Sequence, residues 1–95
     1  MAKGYWIVSI DVKDLDAYGE YVKRVRPYLE RCDAQFLTRG GIHEVREGNF
    51  RTRNVVIEFQ SYQHALDCYN AKEYNEIKAL RENASDADLV IVEGL

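Results

Sequence analysis

Between Tyr5 and Val12 the apolar positions repeat every second residue. Trp6, Val8, Ile10 and Val12 make one wholly apolar face, while Tyr5, Ile7, Ser9 and Asp11 make a mixed one. That period predicts a strand. Beyond Asp14 the period lengthens: Leu15, Tyr18, Val22, Val25 and Leu29 follow at steps of three and four. A helix is predicted there, with Asp14 as its N-cap and Asp16 suiting the dipole of the first turn. Pro27 falls inside the stripe and predicts a kink or the start of a second short helix. Ala34–Thr38 reads as a second strand, closed by a bend or bulge at Arg39-Gly40-Gly41. Glu44–Glu47 is expected to return as a short strand, ending in the turn signal Gly48-Asn49.

Arg53–Phe59 is a further strand, with Val55, Ile57 and Phe59 on one face and Val56 and Glu58 on the other. Ser61 is placed to cap a helix on which Tyr62, Ala65, Leu66 and Tyr69 share a side. Glu73 to Ala84 predicts another helix, with Tyr74, Ile77, Leu80 and Arg81 together, and Asp88–Glu93 a last strand. The resulting order, βαββαβ, is that of an α+β ferredoxin-like fold: a four-stranded antiparallel sheet with helices on one face. Residues such as Tyr5, Ile7, Val56 and part of Leu89–Val92 are then left on the uncovered face. That is more apolar surface than a monomer usually leaves wet. Two sheets packed face to face about a two-fold axis would hide it, so a homodimer forming a dimeric α+β barrel is expected.

Length and composition narrow the field. At 95 residues, the whole of 1–95 is expected to be a single domain. A content of 46% hydrophobic and 31% charged residues excludes disorder. Thirteen basic against sixteen acidic residues give a charge of −3, which argues against nucleic-acid or acidic-membrane binding. The charge is uneven: Glu20 to Arg53 holds eight basic and five acidic residues, the rest five and eleven. Cys32 and Cys68 stand too far apart for a redox motif and are too few for a disulfide scaffold. With no apolar run longer than four residues, neither a signal peptide nor a membrane span is expected, and a cytoplasmic location is the default.

Across nearly its full length the chain resembles the Domain of Unknown Function 1330 family of the dimeric α+β barrel group. The residues that carry the resemblance are Gly4-Tyr5-Trp6, Arg39-Gly40-Gly41, Glu47-Gly48, Val55-Val56-Ile57-Glu58-Phe59 with Ser61, Ala65 and Tyr69, then Glu73-Tyr74, Arg81 and Glu93-Gly94. The chain departs from the family at three helix entries, carrying Leu15, Gln60 and Lys72 where proline is common. Proline is optional at such positions. The resemblance implies the fold and dimerisation but no settled activity. Relatives in the wider group include small monooxygenases and haem-degrading, dehalogenase-like and isomerase-like proteins. They use the cleft between sheet and helices for small, often aromatic, molecules, so the resemblance implies a pocket by analogy.

Candidate ligand residues are Arg39, Gly40, Gly41, Tyr74 and Arg81. The two glycines allow close backbone approach, and Arg39 offers a planar fork for a carboxylate or phosphate. The alternative is a bulge that only shapes the strand, with Arg39 paired to an acid such as Glu58. Tyr74 and Arg81 lie two helical turns apart and can project from one face, either to hold a polar acid or as packing and an ion pair. His43 is the candidate for proton transfer, against a plain surface histidine. Asp11 and Glu58 are acids in strand interiors, expected on the sheet face away from the helices. They need partners, such as an interfacial bridge to Arg39 or Arg81 of either subunit. His64 and Cys68, at i and i+4, make at most half a metal site, and an exposed histidine beside a buried thiol is the simpler reading.

No catalytic triad, phosphate loop or dinucleotide fingerprint is present, and neither metal nor cofactor is expected. The expectation is therefore a small homodimer with a cleft for an organic acid or aromatic compound. Cofactor-free enzyme activity and a non-enzymatic module, whose charges serve the dimer interface, are both compatible with these residues.

Overall fold

The computed structural model describes residues 2–95. Seven elements follow one another: β1 (Gly4–Val12), α1 (Leu15–Arg31), β2 (Gln35–Arg39), β3 (Arg53–Phe59), α2 (Tyr62–Asn70), α3 (Lys72–Glu82) and β4 (Ser85–Glu93). The sheet runs β2-β3-β1-β4, and every neighbouring pair is antiparallel. This is the ferredoxin-like α+β arrangement that the alternation of periods predicts.

The two-residue period of β1 becomes its burial. Trp6, Val8 and Ile10 are buried beneath the helices, with Val55, Ile57 and Phe59 of β3 beside them. Trp6 is anchored at both ends: its ring packs 4.8 Å from Phe59 and 5.0 Å from Tyr74, and its indole N–H donates to the Ala65 carbonyl at 2.9 Å. From α1 the core takes Tyr18, Tyr21, Val25, Tyr28 and Leu29. Asp14 caps this helix, its Oδ1 accepting from the amides of Asp16 and Ala17 at 3.1 Å. Ser61 caps α2 by accepting from the His64 amide at 3.1 Å.

Several local expectations are overturned. No second helix begins at Pro27: α1 continues through it as a single element of 17 residues. An internal proline costs roughly 3 kcal/mol, and the buried aromatic and aliphatic stripe outweighs that. Leu15, placed on the stripe by its spacing, is 79% exposed at the helix start. The bend expected at the glycines is present, at Gly40, and a bulge lies earlier, within β2 between Phe36 and Thr38. Residues 44–47 form no strand. They belong to an irregular segment held beside the outer sheet face by Arg51, whose amide donates to Ser9 Oγ at 2.8 Å. Finally, β4 begins at Ser85, opposite Val12, three residues before the expected Asp88.

Candidate ligand cleft

A cavity of about 40 Å³ lies between the inner sheet face and helices α1 and α3. Its apolar wall includes Trp6, Val8, Tyr18, Phe36 and Ile57. Its polar wall consists of Arg26 from α1, Arg39 from β2, Arg53 from β3, and Tyr74 and Arg81 from α3, with Tyr21 beside them. No aspartate or glutamate lines it. Among the salt bridges of the described residues, none involves any of these four arginines.

The fold places each cation by a simple device. Arg53 lies two residues before Val55 and four before Ile57, so strand alternation turns it to the same inner face. Phe36 and Arg39 are three apart and would point to opposite faces of a regular strand. The bulge between them restores the alignment, so Phe36 pairs with Ile57 and Arg39 with Val55. The Arg39 guanidinium then stacks 5.3 Å from the Phe36 ring centre. Tyr74 and Arg81 are seven residues apart on α3, so both face inward.

Arg81 is the deepest of the four, with 8% of its surface exposed. Its guanidinium carbon sits 5.4 Å from the Tyr21 ring centre, and the hydroxyls of Tyr21 and Tyr74 are 2.9 Å apart. Burial works against the Arg81 charge, but the adjoining Tyr74 and Tyr21 hydroxyls outweigh it and hold its pKa above the usual guanidinium value. Burial also raises the Tyr21 pKa well above that of an ordinary phenol, with Tyr74 adding to the effect. The result is a permanent cation beside a pair of hydrogen-bonded hydroxyls.

The other sequence candidates are distributed differently. Gly40 does not line the cavity but supports it. It has a φ of +72°, which favours glycine, and a Cβ there would come within 2.5 Å of Arg53 Nη1, so a side chain would displace that guanidinium. Gly41 has open space around it. His43 lies on the opposite side of the sheet from Arg81, exposed, with Nδ1 3.1 Å from the Gly41 carbonyl. It cannot serve proton transfer in a cleft that holds Arg39, Tyr74 and Arg81.

Asp11 and Glu58 lie on the outer face, half-buried, and within the chain their partners are Arg51 and Thr52 for Asp11 and Tyr5 for Glu58. Asp11 Oδ1 accepts from the Thr52 amide and hydroxyl, and its Oδ2 from Arg51, all at 3.0 Å. Those bonds hold its carboxyl below the usual range, the Thr52 amide contributing most. Glu58 accepts from the Tyr5 hydroxyl at 3.0 Å, which raises the Tyr5 pKa. Arg39 and Glu58 therefore stand on opposite faces of the sheet.

His64 is half-buried, not exposed as expected. Its Nε2 is 2.6 Å from the Cys32 carbonyl and 3.7 Å from Cys68 Sγ. Burial, then the neighbouring Cys32 thiol, pushes the Cys68 thiol up to about 12. No group of three or more metal-ligating side chains occurs among the described residues.

Arg26, Arg53 and Tyr21 were missed as cleft residues. The signal for Arg53 is its alternation with Val55 and Ile57. For Tyr21 and Arg26 it is their place beside the Tyr18–Val22–Val25 stripe.

A second, larger groove of about 640 Å³ opens on the outer face, among Ile7, Val45, Phe50, Val56 and Val90. Its exposed lining is mainly apolar and open to solvent, with His43, Glu44, Arg46, Glu47 and Asp88 among its walls. The two faces thus differ in kind, one presenting a largely apolar groove and the other a cleft with Arg81 buried, Arg53 half-buried and Arg26 and Arg39 exposed.

Antiparallel βαββαβ order with all helices on one face defines a ferredoxin-like α+β protein. The chain belongs to the family Domain of unknown function (DUF1330), whose model matches residues 3–95. No curated protein matches it. Among solved structures it is similar to RPA0582, a protein of unknown function from Rhodopseudomonas palustris, with a TM-score of 0.76 at 15% identity over 99% of this chain and 83% of that one. It is also similar to SnoaB, a cofactor-independent oxygenase from Streptomyces nogalater, with a TM-score of 0.67 at 10% identity over 97% and 92%. A dimeric ferredoxin-like protein of unknown function from Thermobifida fusca gives a TM-score of 0.59 at 13% identity over 99% and 92%. These likenesses establish the fold. No helix among the described residues is long and apolar enough to cross a membrane.

Proposed function

We propose that the protein is a homodimer whose protomers each bind a small organic acid in the cleft between the sheet and helices α1 and α3. The observation that carries this reading is Arg81: a buried cation with no carboxylate partner, facing a cavity beside two tyrosine hydroxyls. Its polar neighbours are the Tyr21 and Tyr74 hydroxyls and no carboxylate, so a ligand carboxylate supplies the counter-charge that the chain does not. Guanidinium and phenol together present the fork and the donor that a carboxylate accepts. The small cavity, about 40 Å³, suits a compact acid. The cleft holds no histidine or carboxylic acid, the side chains that most often move protons. This supports binding, or electrostatic stabilisation of an anion, over acid–base catalysis by the protein.

Dimerisation is supported by the outer face. Ile7 and Val90 are 43% and 55% exposed on adjacent strands, with Val92, Val45 and Phe50 also exposed. The chain exposes 6320 Å², against roughly 5,600 Å² expected for a folded monomer of this size. The dimeric protein from Thermobifida fusca has a similar fold. Because Arg39 and Arg81 face inward, they are poorly placed to bridge two sheets.

The test is thermal unfolding with pyruvate as the probe, for the wild type and Arg81→Met. Pyruvate raises the wild-type Tm in a concentration-dependent way and leaves that of Arg81→Met unchanged. Equal shifts in both would overturn the assignment.

A further inference from the structure

The number of cations in the cleft exceeds what a monocarboxylate requires. Arg26, Arg39, Arg53 and Arg81 converge on one cavity of about 40 Å³, and neither an acid in its wall nor an ion pair elsewhere offsets any of them. Arg81 satisfies a carboxylate from the depth of the cavity. Arg53 is half-buried, and its Nε is enclosed without a hydrogen-bond acceptor. Such an orphaned donor is costly when its group is charged. Gly40 makes room for this guanidinium and not for another group, since a Cβ there would meet Nη1 at 2.5 Å and Cζ at 3.1 Å. Two separate elements, the β2 bulge and Gly40, thus turn the exposed Arg39 and the half-buried Arg53 toward the cavity that holds Arg81.

We propose that the cleft takes a compact dianion, one anionic end on Arg81 and Tyr74 and the other on Arg53 and Arg39. This rests on the organic-acid reading and adds to it the second charge. The enclosed space is small, about 40 Å³, so the ligand is compact: a dicarboxylate of two or three carbons or a phosphate group. Both share the bidentate geometry that guanidinium recognises. Arg26, exposed on α1 at the rim, adds attraction that salt screens.

The experiment is calorimetric titration of the full chain at low ionic strength with malonate, inorganic phosphate and acetate. Malonate or phosphate binding at least tenfold tighter than acetate supports the dianion, and whichever of the two is tighter identifies the source. In Arg53→Met the dianion falls to the affinity of acetate while acetate is unaffected. Arg46→Met, in the outer segment, leaves all three probes unchanged. If acetate binds as tightly as both dianions, the dianion is wrong and the single-acid cleft stands. Should no probe bind to folded protein, both readings fail. Loss of the dianion preference in Arg46→Met would place the site on the other face and overturn the proposal. Circular dichroism of each variant establishes that it is folded before titration.

Discussion

The hydroxyls of Tyr21 and Tyr74 meet at 2.9 Å, joining α1 to α3 beneath the sheet and beside Arg81. Each phenol is buried, and the two hydroxyls partner each other next to the Arg81 guanidinium. Removing one leaves its neighbour with an unmet polar group, at a cost of roughly 1–3 kcal/mol. Tyr21→Phe therefore lowers the Tm by several degrees, about 4–8 °C per kcal/mol for a domain of this length. Thermal unfolding checks it. No change would mean that the hydroxyl pair contributes nothing to the packing of the two helices.

Arg81 behaves differently. Among the described residues it has no acid partner whose charge its removal would strand, and Met keeps its length and apolar stem. Arg81→Met is accordingly about as stable as the wild type, while its response to pyruvate disappears. A residue that the ligand-free fold can spare and that binding requires fits a functional role. Strong destabilisation of Arg81→Met, measured by the same unfolding curves, would mark it as a structural cation held by the Tyr21 ring.

Gly40 and Gly41 are neighbours with different consequences. At Gly40 a side chain meets both the left-handed backbone, with φ of +72°, and the Arg53 guanidinium. The backbone alone costs roughly 1–2 kcal/mol for a non-glycine residue. Gly40→Ala lowers stability by about that amount and also displaces Arg53, weakening anion binding. Gly41→Ala has open space and no positive φ, so it changes neither property. Unfolding and titration of the two variants side by side separate the roles that Arg39-Gly40-Gly41 merged.

That merging shows where the sequence was legible. Elements with a sustained period (β1, α1, β3 and α3) could be read because burial repeats at the spacing of the backbone, and β1 and β3 also reveal which residues face inward. Tyr74 and Arg81 could be grouped for the same reason. Arg39 could be selected by type but not by direction, because one bulge residue reverses the face of everything beyond it. Arg51 holds the 40–52 segment through contacts some forty residues distant in sequence, with Ser9 and Asp11, and with Asp88 on β4. No local pattern encodes such pairings, which is why a strand was expected at Glu44–Glu47 and His43 was expected near the cations.

The outer face supplies a prediction about assembly. Val90 pairs with Ile7 across β4 and β1, at the centre of the exposed apolar surface. In a monomer, Val90→Lys replaces one exposed side chain with another and changes stability by no more than about 0.5 kcal/mol. In a dimer packed through this face it buries two unpaired charges about the two-fold axis. Light scattering therefore reports twice the chain mass for the wild type and a single chain for Val90→Lys. A wild-type protein that is monomeric at micromolar concentration would overturn the dimer.

Acid titration probes the contact that holds the outer segment in place. Asp11 accepts from the Thr52 amide and hydroxyl and pairs with Arg51, and its pKa lies below the ordinary 3.8. A lowered native pKa means that the unfolded chain binds the proton more readily, so stability rises with pH through this window. The contribution of Asp11 is complete above about pH 4 and is lost as pH falls through its depressed native value. Asp11→Asn removes it at every pH. The variant is therefore less stable than the wild type at neutral pH, and the two stability curves converge as the pH drops below 3.8. Denaturant unfolding between pH 2.5 and 7 measures the difference directly. Curves that stay parallel over that range would show that the Asp11 carboxylate is not what ties Arg51 and Thr52 to β1, leaving that role to Ser9 and Asp88.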